Sequence, residues 1–143
     1  MAVIDPMEFP GARYPAGRIT RPLVGGTSQI PAGNFSLGYV VLDPDGGQVP
    51  WHNHEPEEAY FIVSGIGELC VGSEKKIIHT NQVGYVPSGE FHQLTNIGDQ
   101  PLVMLYCCGR GTVLHGGQEL AGTLPVAGRD VPQVPQGARK QKI

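Results

Sequence analysis

From Ile19 to Cys108 the chain repeats one local pattern. A short run rich in Val, Ile, Tyr, Phe and Thr is followed by a break of Gly, Pro, Asn or Asp. β-Branched and aromatic side chains fit a pleated, half-buried surface, and the breakers supply tight turns between such runs. Breaks arriving every roughly 8–12 residues leave room for strands but not for helices, and that spacing belongs to a sandwich or barrel. Gly (21) and Pro (13) make up close to a quarter of the 143 residues, a share that approaches disordered composition. Here they punctuate apolar runs instead of forming a low-complexity block. No 3.6-residue apolar stripe marks a substantial helix, and no long-period self-similarity points to a propeller or solenoid. The expected fold class is all-β, in one domain.

About nine strands are expected. They run over Ile19 to Val24, Phe35 to Leu42, Val49 to His54, Glu58 to Ser64, Glu68 to Val71, Lys75 to Thr80, Gln82 to Val86, Phe91 to Asn96 and Leu102 to Cys108. Pro22 cannot donate to a ladder and confines the first of these to an edge. Residues 1–34 then read as an N-terminal arm and edge strand, 35–108 as a barrel core, and 109–143 as a Gly/Pro-rich extension. Within the extension, Val113-Leu114 and Leu120 to Val126 are expected to pack on the barrel, and residues from about 128 onward to be mobile.

Inside this strand-rich stretch, Gly46 to Gly65 (GGQVPWHNHEPEEAYFIVSG) places His52, His54 and Glu58 close together. Alternate residues of a strand share a face, so the two imidazoles should project together, about 6.5 Å apart along the backbone. Glu55-Pro56-Glu57 can turn the chain so that Glu58 faces back toward them. Glu57 is the alternative carboxylate, but strand parity favours Glu58, which shares a face with Tyr60 and Ile62. A second stretch, Asn81 to Asn96 (NQVGYVPSGEFHQLTN), presents His92 after the Pro87-Ser88-Gly89 turn. Three neutral imidazoles and one carboxylate suit one divalent first-row transition metal (Fe, Mn, Ni, Zn or Cu), and an octahedral arrangement leaves two positions open. A four-coordinate structural zinc would more often recruit cysteines.

These stretches resemble the paired motifs of the cupin superfamily. The first matches G-x5-H-x-H-x3-E-x6-G at Gly46, His52, His54, Glu58 and Gly65. The second matches G-x5-P-x-G-x2-H-x3-N at Asn81, Pro87, Gly89, His92 and Asn96. Asn81 stands where the family usually has glycine, and asparagine best tolerates the positive φ that such a turn requires. The resemblance covers roughly residues 35–108 and implies a single-domain cupin, a double-stranded β-helix or jelly-roll barrel. It also implies that His52, His54, Glu58 and His92 are the metal ligands. Related family members include dioxygenases such as quercetinases, oxalate decarboxylases, sugar isomerases and polyketide cyclases. The implied function is a metal-dependent enzyme of dioxygenase-like oxidoreductase type on a small oxygenated metabolite. The alternatives are a non-redox isomerase, cyclase or decarboxylase, or a non-catalytic small-ligand binder.

Other features bound the partners. The net charge of −3, without a Lys/Arg block before the last few residues, gives no footprint for nucleic acid or an anionic membrane. No apolar run approaches the ~20 residues of a spanning helix, and the N-terminus lacks a signal-peptide pattern, so a cytoplasmic protein is expected. Cys70, Cys107 and Cys108 make no disulfide framework and are expected to be reduced, mostly buried thiols. Gln48, Trp51 and Gln93 are candidates to support the ligands, and Arg13, Arg18 and Arg21 to clamp a substrate carboxylate. Tyr39, Tyr60, Phe91, Met104 and Tyr106 read as barrel core, and His79 and His115 as solvent-facing. Sheet edges need covering, and the arm and tail look suited to embracing a second copy, so a homodimer is expected.

Overall fold

The computed structural model describes residues 1–110, and within them ten strands build two antiparallel sheets. The strands are β1 (Ala12–Tyr14), β2 (Arg18–Val24), β3 (Phe35–Leu42), β4 (Gln48–His52), β5 (Glu58–Ser64), β6 (Ile66–Val71), β7 (Glu74–His79), β8 (Val83–Val86), β9 (His92–Asn96) and β10 (Leu102–Gly109). One sheet has the order β1-β2-β3-β10-β5-β8, and the other β4-β9-β6-β7. The only helical element among the described residues is a single 3-10 turn, Pro6–Glu8, capped by the Asp5 side chain. No helix there is long and apolar enough to cross a membrane. This two-sheet, jelly-roll arrangement is the expected all-β class. His115, Val113-Leu114, Leu120 to Val126 and the expected mobile tail lie outside the described residues.

Alternation along each strand sends one set of side chains between the sheets. Val40, Leu42, Tyr60, Ile62, Leu102 and Met104 come from the larger sheet, and Val49, Leu69, Ile78 and Leu94 from the smaller one. Each fully buried aliphatic of this set contributes about 1.5–3 kcal/mol relative to exposure. Tyr39 does not join them. It is half-buried on the outer face, because its ladder partner Leu105 alternates with the inward Met104 and Tyr106. Phe91 also lies outside this core, in a separate cluster with Trp51 and Cys70.

Several boundaries differ from the pattern in the sequence. β1 was not expected, since three residues carry no readable alternation. It pairs with β2 only over Arg18, Ile19 and Thr20. Pro22 lies past the end of β1, where β2 meets only β3 and its register shifts. There, the missing N–H breaks no ladder bond. The strand beginning near Val49 stops at His52, so His54 lies beyond it.

The turns joining the strands obey the same physics. Gly65 has φ 99°, and a Cβ there would lie 2.9 Å from the Leu102 Cα, so only glycine fits without displacing β10. Asn81 adopts φ 66°, the left-handed conformation its side chain tolerates best. Asn96, fully buried at the end of β9, holds the chain together at this end of the barrel. Its amide nitrogen lies 3.2, 2.9 and 2.8 Å from the carbonyl oxygens of Leu42, Asp43 and Gln100, and its Oδ1 accepts from the Gly98 N–H. Replacing Asn96 by Ala should leave those carbonyls short of donors. We expect a loss of about 2–3 kcal/mol in denaturant unfolding, with metal content of the surviving folded protein unchanged.

Candidate metal centre

The two sheets converge at His52, His54, Glu58 and His92. All four are buried, and one ligand atom from each lies within 4.8 Å of the others. His52 and His92 are ladder partners on β4 and β9 of the smaller sheet, Glu58 opens β5 of the larger one, and His54 sits in the connection between β4 and β5.

A register shift delivers His52 to this interior. Gln48 pairs with Thr95 and Val49 with Leu94, but His52 pairs with His92, so three residues of β4 oppose two of β9. Strict alternation from the inward Val49 would have turned His52 outward. The extra residue at Pro50-Trp51 resets the parity, and Pro50, which has no N–H to offer, is suited to the irregular position. The same reset turns Trp51 to the outer side, where it stacks on Phe91 at 5.7 Å between ring centroids.

His54 reaches the site by loop anchoring and not by strand alternation. Its carbonyl accepts the Gly89 N–H at 2.9 Å, and the Asn53 amide donates back to the Gly89 carbonyl at 3.1 Å. The loop carrying His54 is thus tied to the turn that presents His92.

Each imidazole is oriented by its own backbone. Nδ1 of His52 meets the Pro50 carbonyl at 2.6 Å, Nδ1 of His54 the Pro56 carbonyl at 2.8 Å, and Nδ1 of His92 the Glu90 carbonyl at 2.9 Å. A carbonyl can only accept, so each Nδ1 carries the proton, and in a neutral ring Nε2 is left as a lone pair. Nε2 of His54 and of His92 stand 3.1 and 3.2 Å from the same Glu58 oxygen, Oε2. Lone pairs of nitrogen and carboxylate facing at that distance repel unless a cation lies among them. The donor set therefore fits a metal ion.

In the metal-free protein a proton on Nε2 of each ring can take the cation's place: burial acts to raise the Glu58 pKa, but hydrogen bonds from His54 and His92 so protonated, and their charge, outweigh it, holding the carboxyl at about 2. Beside Glu58 the phenols and the thiol are held neutral, although the charge of the buried Arg18 acts in the opposite sense on both phenols. Tyr60, two residues along β5, has its phenol pushed well up by burial and then by the Glu58 charge and hydrogen bond. Cys108, the ladder partner of Glu58 on β10, is pushed up to about 12 by burial and then by Glu58. Tyr106, opposite Tyr60, is raised to about 12, again chiefly by burial. Its ring lies against Gly38, where a Cβ would be 2.2 Å from Cε1.

Glu57, the alternative carboxylate, is exposed and accepts a hydrogen bond from the Tyr85 hydroxyl, turned away from the cluster. Gln48, Trp51 and Gln93 do not support the ligands. Gln48 and Gln93 both donate to the Thr95 hydroxyl on the outer face of the smaller sheet, at 3.1 and 3.2 Å. Trp51 and Gln93 each adjoin a ligand and so point to the opposite face, whereas Gln48 is parted from His52 by the register shift between them.

Arg13 pairs with Asp43, and Arg21 donates to the Phe9 carbonyl at 3.1 Å, so both serve the arm. Arg18 is buried, with its guanidinium 4.3 Å from the Tyr14 ring centroid. His79 is exposed as expected. Cys70 and Cys108 are buried free thiols, but Cys107 is exposed because it alternates with Cys108 on β10. Tyr106 and Cys108 belong to the wall of the site, which could be seen only by counting register from Glu58 across to β10.

A folded-state value lowered from the ordinary 4.5 to about 2 means that Glu58 stabilises the metal-free fold fully above the unfolded value. That contribution is lost as pH falls through the interval toward about 2. Glu58→Gln should therefore lower metal-free stability at neutral pH and flatten its decline in acid, measured by urea unfolding between pH 7 and pH 2.

A family model described as a cupin domain, Cupin_2, matches residues 38–108. The uncharacterized protein MJ1618 of Methanocaldococcus jannaschii is 32% identical over 86 residues, covering 59% of this chain and 67% of that protein. Among solved structures, the polyketide cyclase RemF of Streptomyces resistomycificus aligns with TM-score 0.65 and 20% identity, covering 78% of this chain and 80% of that one. An RmlC-like cupin from Shewanella frigidimarina aligns with TM-score 0.63 and 12% identity, over 73% of this chain and 86% of that one. With both motifs, the two-sheet fold and these likenesses in agreement, the chain belongs to the cupin family.

Proposed function

We propose that His52, His54, Glu58 and His92 hold one divalent first-row transition metal, and that the protein is a metal-dependent enzyme of dioxygenase-like type acting on a small oxygenated metabolite. The observation that carries this is the orientation of the rings: three Nδ1 atoms spent on backbone carbonyls leave three Nε2 atoms for one buried focus beside Glu58. Such a metal, when bound, polarises the oxygen donors of a substrate or activates dioxygen. The chain's own backbone carbonyls orient the ligand rings. Burial and the nearby Glu58 raise the Tyr60 phenol, and Tyr60, Tyr106 and Cys108 all retain their protons at neutral pH. These three groups are thus able to donate protons and not to accept them. That favours chemistry not begun by a side chain removing a proton.

A second reading is non-redox cyclase or isomerase chemistry, favoured by the likeness to a polyketide cyclase and by phenols able to donate a proton to a developing oxyanion. Elemental analysis of protein purified without added metal, followed by oxygen uptake with catechol and β-diketone probes, separates the two. Iron or copper with oxygen consumption is expected. Zinc with no oxygen uptake but conversion of the probe would favour the second reading, and stabilisation by a probe without turnover a plain binder. His52→Ala should lower metal content at least ten-fold, whereas Glu57→Gln should leave it unchanged. Equal metal in wild type and His52→Ala would refute the ligand set.

A further inference from the structure

The outer face of the smaller sheet is shielded from water along three of its four strands. Outward positions on β4, β9 and β6 include Trp51, Gln93, Thr95 and Cys70. Trp51 is 0% exposed, Cys70 and Gln93 1% and Thr95 4%. On β7, the next strand of that sheet, the outward Ile77 is 46% exposed. A cover therefore lies over β4, β9 and β6 and stops short of β7. This burial exists within a single chain, so the cover belongs to the same chain. Burial is mutual, and a covering segment must bury residues of its own. Residues 1–17 and 26–34 include none that is buried. The arm instead follows β2, where Phe9 accepts from Arg21 and Gly11 lies against Ile19. No connection after β3 exceeds five residues, too short to leave its strand, cross that face and return. Two polar atoms on the face also call for partners. Trp51 Nε1 and Gln93 Oε1 are buried with no hydrogen-bond partner among the described residues, whereas buried polar groups are nearly always bonded.

We infer that the C-terminal extension is this cover, with its segment Leu120 to Val126 laid across β4, β9 and β6 over Trp51, Cys70 and Gln93. The exit of the chain suits it. The Gly109 N–H bonds the Glu57 carbonyl at 2.9 Å, and the connection carrying Glu57 is tied through His54 to Gly89. Two residues beyond Gly89, Phe91 stacks on Trp51, so the extension starts beside the covered face. The length suffices as well. Residues 111–143 follow the described chain and reach on the order of 100 Å when extended, against roughly 10 Å from the first to the third of these strands. Leu120 to Val126 carries no charge and offers Leu120, Leu124 and Val126 to the apolar cluster of Trp51, Phe91 and Cys70. An extended backbone passing over that cluster presents both a carbonyl for Trp51 Nε1 and an N–H for Gln93 Oε1. Composition alone only suggests that this segment packs on the barrel; the burial of Trp51, Cys70 and Gln93 names the face. Because Trp51 adjoins His52 and Gln93 adjoins His92, the segment forms the wall behind two of the proposed ligands.

Trp51 is the single tryptophan of the chain, so its fluorescence reports on this face alone. The test is acrylamide quenching of the full chain over a range of protein concentrations, with a chelator present so that the result does not depend on metal. Maleimide labelling of Cys70 is followed in parallel, with the exposed Cys107 as internal standard. Slow quenching and a protected Cys70, both independent of concentration, are expected. In the full-length double variant Leu120→Asp/Leu124→Asp, quenching should rise at least three-fold and Cys70 labelling at least ten-fold, while far-UV circular dichroism holds. If that variant does not fold, Leu124→Ala is read in its place, with Cys70 labelling expected to rise at least two-fold. Ready quenching of Trp51 in the unaltered chain would overturn the inference. Protection that grows with concentration would give the face to a second copy and refute it. Protection left intact by the substitutions would give the face to another part of the chain and equally refute it.

Discussion

Two sheets of unequal size are brought together where three imidazoles point at one buried carboxylate. Burying that carboxylate is unfavourable on its own, and its acidity persists only because His54 and His92 face it. Each ring is in turn aimed by a carbonyl two residues away in its own segment. Positioning is therefore local, while convergence is long-range: β4 and β9 carry two rings, and β5 brings the acid from the opposite sheet. Disturbing either level separates the groups.

The irregularity in β4 shows how a functional group overrides strand regularity. With perfect alternation His52 would lie on the outer side with Gln48. One additional residue at Pro50-Trp51 turns it inward and gives Trp51 to the outer cluster with Phe91 and Cys70. Pro50 both permits the irregularity and supplies the carbonyl that orients His52.

That device also explains which parts of the fold and site the sequence revealed. Glu58 could be chosen over Glu57 because β5 is regular from Glu58 to Ile62, so parity alone separates an inward from an outward carboxylate. Asn81 could be read as a turn residue because positive φ is a local property, and its φ of 66° agrees. The Gly/Pro breaks located most strands, since turn chemistry is also local. His54 was different. His-x-His suggested two rings on one strand, whereas β4 ends at His52 and a loop bonded to Gly89 presents the second ring. A register shift depends on the partner strand, and nothing in Pro50-Trp51 alone announces one. Gln48 and Gln93 lie beside ligands in the chain yet on the opposite face. Tyr106 and Cys108 are far from Glu58 in sequence but share its wall through β10.

We propose that the three Nε2 atoms of His52, His54 and His92 and a Glu58 oxygen share one metal. A crystal structure of the metal-loaded protein, with anomalous scattering recorded at the metal's absorption edge, decides this. The predicted result is a single peak about 2.0–2.2 Å from the three Nε2 atoms and a Glu58 oxygen. A peak lying elsewhere, or bonded through Nδ1 with the carbonyl contacts broken, would contradict it.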